Sequence, residues 1–150
     1  MEFDFDRRQV AAMHVSHAVA MVRQLDDLAR GRTELGKLAG LAALEAQLVN
    51  VRAVTYFLLA NKSHKDDIHA SDYLPSWVGV PDQQLQGRLD DYRDVASKHV
   101  AHLTWTRVTS LAEPDFDLTP MAEDLRGAFY EFRNQFTELN PDLVDLFPTQ

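Results

Sequence analysis

Six histidines occur in the 150 residues, and four of them form two pairs of equal spacing: His14 and His17 in HVSH, and His99 and His102 in KHVAHLTW. Residues three apart share one side of a helix, so either pair could turn two imidazoles toward one metal ion or one substrate. Imidazole also titrates near neutral pH, which suits it to proton transfer. The second pair has the richer surroundings, with Arg93 and Asp94 before it, Lys98 four residues ahead of His102, and Arg107 beyond. A further polar set, Glu45, Asn50, Arg52, Asp67 and Asp72, stands on neighbouring segments as substrate-binding or structural partners. A metal at His99 and His102 would need two more ligands, from Asp66, Asp67, Asp72 or Glu45. The Glu-x-x-His pairs that dimetal bundles carry on two helices are missing from the sequence, so neither a metal nor another cofactor is expected. His17 falls on an apolar line, and the first pair reads as packing.

Four helical patterns must position these groups. From Asp6, the residues Val10, Met13, His17, Ala20, Met21, Gln24 and Leu28 follow helical spacing toward a stop at Gly31. A second line, opened by Thr33 and Glu34, runs through Leu38, Leu41, Leu44, Leu48, Val51, Thr55 and Leu58. Glu45 and Arg52 lie two turns apart on or near that line, where a charge must find a partner or carry a heavy desolvation cost. The third line begins near Pro81 and Asp82 and passes Leu85, Leu89, Tyr92, Ala96, His99 and Leu103. The fourth, expected to be capped by Thr119 with Pro120 at its first position, carries Met121, Leu125, Ala128, Phe129, Phe132, Phe136 and Leu139. Residues 61–81 have no sustained period and predict a long connection, a place where function often resides. PDLVDLF predicts a short closing turn.

Nothing alternates with period two for long enough to suggest a sheet, and no repeat is visible. The expected fold is all-α, an up-and-down four-helix bundle in one domain spanning 1–150. With no cysteine, disulfides, thiolate metal sites and thiol catalysis are excluded. A net charge of −8 disfavours broad, non-specific nucleic-acid binding, though not a local basic cleft. No membrane segment and no secretory leader are legible, which predicts a cytoplasmic protein.

RLDDYRDVASKHVAHLTWTR resembles the C-terminal helix of the HEPN superfamily, small all-helical bacterial and archaeal domains. More closely, the chain is similar to a group of short bacterial proteins related to that superfamily. The likeness covers NVRAVTYFL, DDIHASDYLPSW and KHVAHLTWTR, from about Glu45 through Arg107. It implies a HEPN-like bundle, a homodimer and, in active members, metal-independent RNA cleavage in defence or toxin systems. There an arginine, its polar neighbour and a histidine four to six positions beyond the arginine act at the 2′-hydroxyl and the scissile phosphate. Two registrations are open. Arg93, Asp94 and His99 satisfy the spacing, whereas the Ala101-His102-Leu103 step resembles the usual context of the histidine and sets Ser97 and Lys98 in place of the arginine and its neighbour. The resemblance thus implies RNA as substrate or ligand and an antitoxin-like protein as a further partner. Residue chemistry leaves a second reading, a non-catalytic interaction module whose His/Lys/Arg/Asp cluster is structural, and a lesser one, a metal-binding bundle using His99 and His102.

Overall fold

The computed structural model describes residues 5–30, 37–59, 67–101 and 118–148. They form helix α1 (Phe5–Arg30), α2 (Lys37–Leu58), a single-turn α3 (Ala70–Tyr73), α4 (Gln83–Ala101), α5 (Thr119–Leu139) and a 3-10 turn over Pro141–Leu146. No strand occurs among the described residues, so the chain is all-α. The expected opening of the second helix at Thr33 and Glu34 lies outside the described residues.

The second apolar line is the centre of the structure. Leu44, Leu48, Val51, Thr55 and Leu58 are buried as their spacing predicts, together with Val54 and Phe57. Helices α2 and α5 each touch the other three long helices, and the 3-10 turn packs on α5 and α1. On α5, Leu125, Ala128, Phe129, Phe132 and Phe136 are buried. Phe132 meets Phe57 edge-on at 5.0 Å, Trp77 at 5.5 Å and Phe147 at 5.1 Å between ring centres, the perpendicular geometry that ring quadrupoles favour. Arg133 Nε donates to the Phe147 carbonyl at 2.6 Å and ties the closing turn to α5.

Two expectations need correction. On α1 the buried residues are Ala12, Ser16, Ala18, Val22 and Leu25, with Val15 and Val19 packed beside them. Much of the expected line points outward: Val10 is 53% and Met13 62% exposed, and His17 and Gln24 are exposed, as is His14 beside them, while Ala20 and Met21 are half-buried. His17 is therefore a surface residue and needs no internal acceptor. The reason is that α1 carries apolar residues on two faces. The face rich in alanine, serine and valine is the one that lets two helix axes approach closely. At α5 the cap is Leu118, not Thr119; Thr119 is the first helical residue, with Pro120 in the first turn. The entrance to α4 is as expected, Asp82 Oδ1 accepting the Gln84 N–H at 2.8 Å.

Candidate functional site

The residues singled out for chemistry lie on α2, on α4 and on the connection between them. That connection is held to three helices. The last carbonyls of α2 have no partner further along their own helix and need donors from elsewhere. Trp77 Nε1 donates to the Leu58 carbonyl at 2.8 Å, and His69 Nδ1 lies 3.1 Å from the Leu59 carbonyl. A carbonyl only accepts, so Nδ1 is the donor in this bond. His69 is 1% exposed. Thr55 Oγ1 donates to the carbonyls of Val51 and Arg52 at 3.0 and 2.8 Å, which accounts for a buried hydroxyl on the apolar line.

Further along, the Asp72 carboxylate accepts the His69 backbone N–H at 2.8 Å across the first turn of α3. Tyr73 reaches α1, its hydroxyl donating to the Arg8 carbonyl at 2.9 Å. Burial pushes this phenol up to about 12, so it remains a donor throughout the neutral range. At the α4 end, Gly79 adopts φ +117° and the Val80 N–H donates to Gln86 Oε1 at 2.9 Å. A Cβ on Gly79 would stand 2.7 Å from that same oxygen, so glycine serves both the backbone angle and the close approach.

On α2, Asn50 Nδ2 donates to the Ala46 carbonyl one turn earlier at 2.8 Å. The Arg52 guanidinium lies 5.5 Å from the centre of the Tyr56 ring, a cation–π contact within the same helix. Glu45 is exposed and so does not carry the desolvation cost expected for the apolar line; it, Asp67 and Asp72 have interactions within the chain. On α4, Arg93 pairs with Asp90 at 2.9 Å and with Asp94 at 3.2 Å. Lys98 is exposed, the hydroxyl of Ser97 is buried, and His99 stands in the last turns of the helix. His102 and Arg107 lie outside the described residues. Among the described residues, no group of three histidines or carboxylates is placed to hold one metal ion.

The structure thus brings Arg93 together with Asp94, while Asn50 and Arg52 engage their own helix and Asp72 engages the connection. In the sequence nothing sets His69, Tyr73 or Trp77 apart as helix-end donors, although all three fall in the IHASDYLPSW stretch. A polar or aromatic residue amid a helix-breaking stretch is the signal that could have marked them as donors to an open helix end. A second unanticipated cluster joins α4 to α5. Arg88 binds Asp124 through two bonds of 2.6 and 3.0 Å, and the Tyr92 hydroxyl donates to the same carboxylate at 2.7 Å. The guanidinium bond holds the Asp124 carboxyl below its usual value, and the shared contact raises Arg88. Burial, followed by the bond to Asp124, pushes Tyr92 up to about 12.

No family model, characterised protein or solved structure matches the chain.

Proposed function

We propose that the chain is a HEPN-like four-helix bundle acting as a cytoplasmic, non-catalytic interaction module, with its polar cluster serving architecture. The observation that carries this reading is the use already made of the cluster: Asp72 caps the connection, Asn50 and Arg52 engage α2, and Arg93 is spanned by two aspartates. Each of these groups is thus engaged in holding its own segment, Asp72 at the turn of α3. Asp72→Ala is expected to lower the unfolding free energy by about 0.5–1.5 kcal/mol, the usual net worth of a hydrogen bond such as the one it accepts from the His69 N–H. Urea denaturation measures it, and an unchanged midpoint would sink the architectural role.

A second reading, metal-independent RNA cleavage, rests on the resemblance, and one observation chooses between its two registrations. Arg93 faces two carboxylates that a phosphate would have to displace, whereas Lys98 is exposed. This supports the registration on His102, with Lys98 as the cation, over the one on Arg93 and His99. Lysine offers a phosphate a point charge without the arginine fork, and the histidine would carry the proton to or from the 2′-hydroxyl; Arg107 is the further cation in reach by sequence. Cleavage of structured and unstructured RNAs in excess chelator, lost in His102→Ala with melting unchanged, is the expected result; an inert wild-type protein removes this reading. In the first reading the partners are proteins, a second copy of the chain or an antitoxin-like protein; in the second, RNA.

A further inference from the structure

The residues of α2 that face away from the core also repeat at helix-seam spacing. Ala42, Glu45, Val49, Arg52 and Tyr56 fall at i, i+3, i+7, i+10 and i+14. Ala42, Glu45 and Val49 are exposed, while Arg52 and Tyr56 are half-buried. Val49, 50% exposed, stands in the middle of this stripe. A single exposed valine is ordinary, but its flanks are not: an acid lies one turn before it and a base one turn after.

That order is self-complementary in one orientation only. In a pair of antiparallel helices related by a two-fold axis at Val49, a residue four before the axis faces a residue three or four after it in the other copy. Glu45 of each copy then meets Arg52 of the other, twice, with the two valines in contact at the axis. Ala42, Ala46 and Ala53 keep the surface low enough for helix axes to reach about 8–10 Å. A parallel pairing would set Glu45 against Glu45 and Arg52 against Arg52. Tyr56 contributes as well: with its ring on one face of the Arg52 guanidinium, the edges of that planar group remain available to a carboxylate.

We propose that the outer face of α2 is an isologous, antiparallel docking surface for a second copy of this chain, centred on Val49 and fixed by reciprocal Glu45–Arg52 ion pairs. This rests on the interaction-module reading for the existence of a protein partner and adds which partner and which face. Glu45→Arg alone places two cations opposite each other and is expected to raise the dimer dissociation constant by about tenfold or more. Arg52→Glu alone does the same, and the double swap E45R/R52E returns it to within about threefold of wild type. Val49→Asp removes the dimer by burying a charge at the axis, whereas Val10→Asp, at an equally exposed valine on α1, leaves it intact. Sedimentation velocity across micromolar concentrations reads the wild type and all five variants, with circular dichroism confirming that each is folded. A wild type that stays monomeric overturns the proposal while the architectural role of Asp72, judged by its own denaturation curve, stands. A dimer that survives E45R and V49D, or that V10D dissolves, overturns this face but leaves self-association in place.

Discussion

Two regions rich in polar side chains behave in opposite ways. Over the end of α2, Trp77, His69 and Thr55 satisfy buried carbonyls, and the connection is locked by single bonds of fixed direction. Along α4, charge is plentiful and half-exposed, with Arg93 between Asp90 and Asp94 and Arg88 on Asp124. Water can replace most of what the second region provides, but it cannot reach the first. The same chemical group therefore has a different worth in each place: a buried acceptor left without its donor carries the full desolvation cost, while an exposed ion pair is screened and contributes little.

The largest expected effect breaks the buried side. Trp77→Ala removes an indole that fills the aromatic core and is the donor to Leu58, and a loss of about 3–5 kcal/mol is expected by chemical denaturation. Trp77→Phe keeps most of the volume and isolates the bond, at about 1–3 kcal/mol for the unsatisfied carbonyl. Were both variants to match wild type, the contrast between the two regions would fail. Gly79→Ala comes next, at about 1–3 kcal/mol, because alanine must adopt positive φ and push Gln86 Oε1 off the Val80 N–H. Gln86→Ala in the same background should recover the steric part, which thermal melts of the single and double variants can read.

The smallest effect belongs to the charged side, and its pH dependence sharpens the comparison. Asp124 is held below its usual carboxyl value in the folded protein. Its contribution is therefore present above the unfolded value and is lost as pH falls through the folded one. Asp124→Asn should lower the melting temperature by about 1–4 °C at pH 7. That difference from wild type should begin to shrink below about pH 4, where the unfolded carboxyl takes up its proton, and fade as pH falls through the lower folded value. High salt should reduce it as well, whereas the Trp77 effect should be insensitive to salt.

Much of the core is legible in the sequence. The lines through Leu44, Leu48, Val51 and Leu58, and through Leu125, Phe129, Phe132 and Phe136, are buried as their spacing predicts, since each helix has one strongly apolar face. For α1 the same rule selected the wrong side, because Val10, Met13 and Ala20 make as good a stripe as Ala12, Val15, Val19 and Val22. Glu45 and Arg52 were legible as a pair on one face, but which face was not. Within the candidate site, Arg93 and Asp94 were found together by adjacency alone, and the polar set on α2 and the connection was recognised without its purpose. The role of IHASDYLPSW as a set of donors to the end of α2 was invisible, because spacing along the chain says nothing about which carbonyls a loop will cover.

The sequence by itself determined the class of structure: all-α, with helix ends marked by Pro81, Asp82 and Pro120, and cores drawn by 3.6-residue periodicity, a property of local geometry that any isolated segment carries. Tertiary structure decided the rest. It chose the small-residue face of α1 for burial, turned His17, Glu45 and Val49 outward, brought Asp124 to Arg88 and Tyr92, and placed His69 and Trp77 over Leu59 and Leu58. Each of these depends on the distance between segments remote in sequence, and packing fixes that distance by the volume of side chains that must fit between helices.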